Sequence, residues 1–284
     1  MIIAKFYGGL GNQLFQYAFA KSLQECYDLP LKADVSFYST DSNRSFILDK
    51  LGIEIELANE QEISDLHWNI SKKANLFKKK RHHLLQEQEE SYFSFDETHY
   101  QLDHPKGIFI DGYWQHPKYL STEIGIAEKC NLQLIEFDYS QLLAELRSCE
   151  SVSIHVRRGD YINDKHTNEV HGICSYQHYL MAIDWLNAKL ENPKYFIFSD
   201  DIDWCKKKFT GDNFKYVSNP GVSDWIDLAL MMNCQHHIIA NSSFSWWAAW
   251  LNKNPEKRVL APRKWFKRGN WDTSELIPAQ WHRI

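Results

Sequence analysis

Two apolar patterns alternate along this chain. Short continuous apolar runs over 2–7, 31–35, 107–113, 151–156, 195–199, 238–240 and 258–261 read as buried strands. Between them, 12–27, 140–147, 176–190, 223–232 and 244–251 carry apolar residues at helical spacing. In the first of these helices Leu14, Phe15, Ala18, Phe19, Leu23 and Cys26 fall toward one core-facing side. Strand, helix and strand in turn predict an α/β fold with parallel sheets covered by helices. The alternation restarts near residue 150. We therefore expect two Rossmann-like α/β halves, 1–149 and 150–284, facing across a cleft, with the last residues free to pack back on the first half. Ligands of such folds bind at the carboxyl ends of strands.

The stretch 36–100 is less regular. It holds a basic run over 72–81 and an acidic one over 87–90. Solvated helix faces are the commoner meaning of such runs. The alternative for the basic run is peripheral contact with an anionic membrane surface.

Composition narrows the class. The 284 residues are 44% hydrophobic and 24% charged, ordinary for a globular chain. A formal net charge of −5 gives no basic excess to attract a polyanion, so a nucleic-acid partner is not expected. The six cysteines lack CxxC spacing and read as free thiols of a reducing compartment. With no signal peptide and no apolar run of about 18 residues, the chain is expected in the cytoplasm.

Four segments carry chemistry. The strand over 151–156 runs into Arg157-Arg158-Gly159-Asp160, with His155 just before. Arginine keeps its charge and its planar fork suits phosphate oxygens. Alternation puts His155 and Arg157 on one face and Arg158 on the other. One arginine then reaches an anionic ligand while the other pairs with a carboxylate such as Asp160. An Arg-Gly-Asp adhesion loop is the weaker alternative, because a core strand leads into it. Asn241-Ser242-Ser243-Phe244 opens the helix over 244–251, where helix-end N–H groups suit an anion, or where Asn or Ser simply caps. Gly8-Gly9-Leu10-Gly11-Asn12-Gln13 follows the first strand. As a dinucleotide fingerprint it lacks the third glycine, replaced by Leu14, although Asp34 stands where a ribose-binding acid would. Otherwise it is a turn aiming Asn12 and Gln13 into the cleft, or a plain structural turn. Asp200-Asp201-Ile202-Asp203 ends a strand. It fits a guanine contact or a helix start, and less well a divalent metal site. His166, His171 and His178 have no convincing ligand spacing.

Three blocks together, Gly8-Gly-Leu-Gly-Asn-Gln-Leu-Phe-Gln-Tyr17, His155-Val-Arg-Arg-Gly-Asp-Tyr161 and Ala240-Asn-Ser-Ser-Phe-Ser-Trp-Trp-Ala248, resemble the α-1,2-fucosyltransferases of glycosyltransferase family 11, known from bacteria and animals. The resemblance implies a GT-B-type fold, GDP-β-L-fucose as donor, and the 2-hydroxyl of a galactose-terminated oligosaccharide or glycolipid as acceptor. It implies inversion without a required metal or cofactor. Carried onto this chain, Arg157 meets the diphosphate, His155 and Asp200 lie against guanine, Ser242 and Ser243 meet phosphate, and Asn12 lies at the reacting centre. Arg158, Asp160, Asn241 and Phe244 complete the expected donor side. Gly11, Gln13, Asp111, Trp114 and His171 form the expected acceptor side, with Asp111 as one option for the general base.

Three other functions compete. One is a metal-dependent transferase using Asp201 and Asp203. Another is a non-catalytic sugar-binding module with Trp225, Trp246, Trp247 and Trp250 as platform, although their helical spacing favours burial. The last is a nicotinamide dehydrogenase.

Overall fold

The computed structural model describes residues 1–41, 44–71, 81–120, 133–159, 165–219, 221, 223–269 and 271–284. The chain divides into two compact α/β units, Met1–Lys129 with Trp271–Leu276, and Cys130–Asn270 with Ile277–Ile284. The division therefore falls earlier than the expected 149/150. The helix Ser140–Ser148 buries Leu143 and Leu146 in the second unit, and the Ser151 hydroxyl donates to Leu146 O at 2.5 Å. Of the closing residues, 271–276 belong to the first unit and 277–284 to the second.

In the first unit β1 (Ile2–Lys5) leads into α1 (Leu10–Tyr27), then β2 (Leu31–Asp34), β3 (Glu56–Leu57), α2 (Glu60–Ser71), β4 (His82–Gln86) and β5 (Gly107–Asp111). The sheet order is β3-β2-β1-β5-β4, with the strands parallel. Strand β1 is central, and its Ile2, Ile3 and Ala4 are buried, as a parallel strand covered on both faces requires. Leu14, Phe15, Ala18, Phe19 and Leu23 of α1 are buried as expected, whereas Cys26 is exposed in its last turn. Phe19 anchors an aromatic cluster. It stacks on Trp114 at 4.2 Å and meets the edge of Tyr119 at 4.6 Å. Asp34 accepts the N–H of Ser36 at 2.9 Å, so it caps its own turn instead of awaiting a ribose. Residues 72–80 of the basic run lie outside the described residues. Of the acidic run, Glu89 and Glu90 sit in a single exposed 3-10 turn, Glu89–Ser91, not on a helix face.

The second unit contains α3 (Gln133–Asp138), α4 (Ser140–Ser148), β6 (Ser151–Val156), α5 (Lys165–Val170), α6 (Tyr176–Asn187) and β7 (Lys194–Ser199). It continues with α7 (Ile202–Lys208), β8 (Phe214–Tyr216), α8 (Asp224–Met231), β9 (His236–Ile238), α9 (Ser243–Leu251), β10 (Val259–Ala261) and β11 (His282–Arg283). Its sheet runs β11-β10-β9-β6-β7-β8 and is parallel throughout. The chain builds outward from β6 to β8 and then returns to the other side of β6 with β9. The strand order thus reverses between β6 and β9, which is the crevice position of a doubly wound sheet. Every residue of β6 is buried, as its apolar pattern predicts.

Strand β9 begins two residues before the apolar run suggests, because its histidines are satisfied inside the sheet. His237 Nδ1 meets the Ser153 hydroxyl at 2.7 Å, and its Nε2 meets the Asn252 amide at 2.7 Å. Trp246 and Trp247 are fully buried, and Trp246 stacks on Trp250 at 5.0 Å, so two of the four supposed platform residues are core. Among the described residues no helix is long and apolar enough to cross a membrane.

Phe19→Ala should lower unfolding stability by about 3–5 kcal/mol, the usual cost of emptying a buried phenyl site. Urea titration checks this, and a cost under about 1 kcal/mol would contradict the stacked packing on Trp114.

Candidate active site

Strands β6 and β7 are parallel, with Val156 beside Ser199. One step further, Arg157 stands beside Asp200, and the next step sets Arg158 beside Asp201. Both pairs close. Arg157 Nη1 lies 3.2 Å from Asp200 Oδ2, and Arg158 Nε lies 3.1 Å from Asp201 Oδ2. The Arg158 backbone N–H also donates to Asp200 Oδ1 at 2.8 Å. Both oxygens of Asp200 are therefore engaged by the arginine strand, and the carboxylate holds Arg157.

Arg158 is a structural pillar. Its guanidinium lies 4.1 Å from the centre of the Trp204 ring, and Asp201 in turn caps α7 by accepting the Trp204 N–H at 3.2 Å. The helix-start meaning of the aspartate cluster thus holds for Asp201. Arg158 is thus held by Asp201 and the Trp204 ring. Asp160 lies outside the described residues; among the described residues Arg157 pairs with Asp200 and Arg158 with Asp201. Asp203 is exposed and pairs only with Lys206, at 3.8 Å. Among the described residues no group of three His, Cys, Asp or Glu side chains is placed to hold a metal ion.

His155 is 4% exposed, and its Nδ1 is buried without a hydrogen-bond partner among the described residues. Burial, reinforced by the Arg157 charge, pushes its pKa down to about 3. The ring is therefore neutral at any working pH. It rests against Phe244, 5.3 Å away. Ser242 is the N-cap residue of α9, yet its side chain makes no capping bond. His155 ends β6 with Val156, Arg157 follows it, and Ser242, Ser243 and Phe244 follow β9, at the reversal of strand order.

Asn241 does not join them. Its buried amide donates to His171 O at 3.0 Å, Gly172 O at 3.3 Å and Trp265 O at 3.1 Å. It ties two loops together and leaves no donor for a ligand. His171 lies in this second unit with its ring 5.2 Å from Phe266, apart in the chain's division from the other expected acceptor-side residues. His178 is buried, and its Nε2 meets Ile239 O at 3.1 Å.

The first unit has a cluster of its own where its strand order reverses, between β1 and β5. Gly8 takes φ +78°, and a Cβ there would lie 2.6 Å from Asn12 Nδ2, so glycine lets the asparagine amide lie on the turn. Gln115 Nε2 donates to Asn12 Oδ1 at 2.9 Å, linking the ends of the two strands. Gln13 was expected to face a ligand but is fully buried. It donates to Gly8 O at 3.2 Å and Ser45 O at 2.8 Å and accepts from Ile47 N–H at 3.0 Å, so it fastens a loop. Gly11 is buried inside α1, and Trp114, 2% exposed, is in the Phe19 cluster. Asp111 is held by Lys5 at 3.2 Å.

Sequence reasoning missed Gln115 and Trp204. The pairing of Arg157-Arg158 with Asp200-Asp201 was visible as two complementary dipeptides at strand ends. Gln115 gave no signal.

A family model described as Glycosyl transferase family 11 matches residues 1–268. The chain is 34% identical, over 100% of its length and 99% of the relative's, to an Alpha-1,2-colitosyltransferase of Escherichia coli. It is 35% identical over 104 residues, 35% of this chain and 28% of the relative, to the Galactoside alpha-(1,2)-fucosyltransferase 1 of Aotus azarae. In three dimensions it is similar to POFUT1 in a crystal structure with GDP-fucose, with TM-score 0.52 and 12% identity over 92% of this chain and 97% of that one. At that identity the likeness shows the fold alone.

The buried neutral ring makes a prediction. The folded state takes up fewer protons at His155 than the unfolded state between about pH 3 and 6.5, so this residue contributes stability that is lost as pH falls through that window. In a histidine NMR titration from pH 8 to 4.5 the His155 signals should stay at neutral-ring positions. A midpoint near 6.5 would refute the buried placement.

Proposed function

This chain belongs to glycosyltransferase family 11, an enzyme of the α-1,2-fucosyltransferase type, and from that membership we propose that it moves L-fucose from GDP-β-L-fucose to the 2-hydroxyl of a terminal galactoside with inversion. The observation that carries the proposal is the Arg157 guanidinium, fixed by Asp200 at the carboxyl end of β6. Transfer leaves negative charge on the departing GDP. A cation already oriented by a carboxylate stabilises that charge without reorganising as it develops. The guanidinium has five N–H donors, and the Asp200 contact uses Nη1. Ser242 and Ser243 at the start of α9 are assigned to phosphate, and the unpartnered Nδ1 of His155 to the nucleotide. Asn12 is assigned to the transfer step as an amide that orients a hydroxyl, since it takes up no proton. The acceptor proton is assigned to the departing phosphate, with Asp111, which pairs with Lys5 at 3.2 Å, as the alternative base. No metal has a part in this scheme.

The solved POFUT1 complex holds GDP-fucose on a similar fold, and the Aotus relative is named for galactosides, which supports donor and acceptor alike. A second reading has its own support. The relative matched along its whole length is named for colitosyl transfer, and colitose is fucose without the 3-hydroxyl. A donor site that places no hydrogen-bonding group on that hydroxyl takes both sugars.

Incubation with GDP-fucose and lactose, with and without EDTA, followed by linkage analysis, tests the proposal. We expect GDP release and an α-1,2 product that survive the chelator. Loss of activity in EDTA would restore a metal-dependent scheme, and hydrolysis of the donor without a fucosylated trisaccharide would remove the transferase reading. Arg157→Ala should lower kcat by about a hundredfold or more, the usual effect of removing one such charge-stabilising donor. A folded variant with near-normal turnover would reject the role given to Arg157.

A further inference from the structure

Glu87 directly follows β4, at the carboxyl edge of the first unit's sheet. Its backbone N–H continues the ladder by donating to Asp111 O at 2.9 Å, but its side chain turns onto the segment after β5. Oε2 accepts the N–H of Tyr113 at 2.7 Å and that of Trp114 at 3.2 Å. Trp114 needs this support, because its φ of +57° is a strained conformation for a residue with a side chain. Gly112 permits the approach, since a Cβ there would lie 2.5 Å from the Cβ of Glu87. From the other side Gln16 Nε2 donates to Gly112 O at 3.3 Å. The next residue along, Gln115, donates to Asn12 Oδ1 at 2.9 Å.

This chain of bonds has a consequence for the Asn12 amide. An asparagine side chain can present either its oxygen or its NH2 group in a given direction. A donor fixed on Oδ1 selects one orientation and commits Nδ2 to the opposite side. Gln115 is such a donor only while the turn before it keeps its strained shape. The carboxylate holding that shape is itself costly, because burial pushes the Glu87 pKa up to about 7.

We propose that Glu87 is a positioning residue of the transfer reaction, holding the Tyr113–Trp114 turn so that Gln115 locks the Asn12 amide in a single orientation. The inference rests on the assignment of Asn12 to the transfer step. The carboxylate touches no reacting atom in this scheme. It acts through two backbone N–H groups and one side-chain amide.

The test is a double-mutant cycle on kcat, with the sugar nucleotide that the wild-type enzyme turns over at saturation and thermal unfolding followed in parallel. Asn12→Ala and Glu87→Ala should each lower kcat by about tenfold or more, with KM for the donor within about twofold. Their combination should fall no more than about twofold below Asn12→Ala alone, since both remove one function. Glu87→Gln, whose amide oxygen still accepts both N–H groups, should recover most of the loss. Gln115→Ala removes the last link without disturbing the turn, and should match Glu87→Ala in kcat while leaving the unfolding temperature near wild type. A purely structural role would lower the unfolding temperature and spare the kcat of folded enzyme. Multiplicative losses in the double variant, or full kcat in Gln115→Ala, would overturn the inference. Glu87→Gln as inactive as Glu87→Ala would also overturn it, by giving the carboxylate a proton-transfer role. Full kcat in Asn12→Ala would instead remove the assignment of Asn12, whatever Glu87 does.

Discussion

Two guanidinium groups at the end of a fully buried strand are the constraint around which the second unit is built. A charge in such a place is costly unless it is paired. The fold meets the requirement through register. Because β6 and β7 are parallel with Val156 beside Ser199, the two residues after each strand stand opposite one another. Arginine-arginine on one strand and aspartate-aspartate on the next then close two ion pairs with one alignment. A slip of one residue would leave an arginine and an aspartate each without its partner. The pairs therefore fix the register as much as they are fixed by it.

The two pairs do different work because their surroundings differ. Arg158 is also covered by the Trp204 ring, and its partner Asp201 caps the next helix, so this pair joins strand, helix and aromatic packing. Arg157 pairs with the carboxylate of Asp200 one residue beyond β6, two residues after His155. Burial and the neighbouring cation together keep His155 neutral. Among the described residues, the uncharged ring thus lies two residues from a cation that is paired with a carboxylate. A diphosphate arriving there adds negative charge that Asp200 opposes and Arg157 attracts. Asp200 gives up some affinity and in return presents the fork in a fixed orientation. That exchange suits a group whose task is to stabilise charge appearing on a leaving group rather than to bind the resting donor tightly.

The sequence made the framework legible wherever an element was internally apolar. The strand Ser151–Val156 was visible to the residue, and α1 and α9 to within two residues at either end. Elements escaped when their stability came from elsewhere. Strands β3, β8 and β11 are two or three residues long, and β4 is largely polar, each held by pairing to a neighbour instead of by a hydrophobic pattern. His236 and His237 looked like a break in an apolar run, yet Glu150, Ser153 and Asn252 satisfy them within the sheet. The same limit governed the site. Arg157, His155 and Ser242 were recognisable because charge or helix position marks them. Gln13 and Asn241 looked equally functional, and nothing in a list of residues reveals that their amides are spent on backbone carbonyls. Whether a polar side chain serves a ligand or a loop depends on its hydrogen-bond partners, and those are fixed only by the fold.

The three sequence blocks are far apart in the chain, and sheet topology explains why they carry a common chemistry. In each unit the strand order reverses beside the first strand, between β1 and β5 in one and between β6 and β9 in the other. At such a reversal the connections leave in opposite directions and the two strand ends are not roofed by the same loop. Side chains at or beyond the ends of those strands can then meet across the gap, as Gln115 does with Asn12 by a hydrogen bond, and as His155 does with Phe244 by ring contact. The blocks after β1, β6 and β9 are therefore the places where a change in side chain alters what is presented at a reversal without disturbing the sheet. Residues elsewhere in the same elements are committed to packing. This separation lets Trp246 and Trp247 serve the core one turn beyond Ser242 and Ser243, on a single helix whose first turn is assigned to the ligand and whose remainder belongs to the fold.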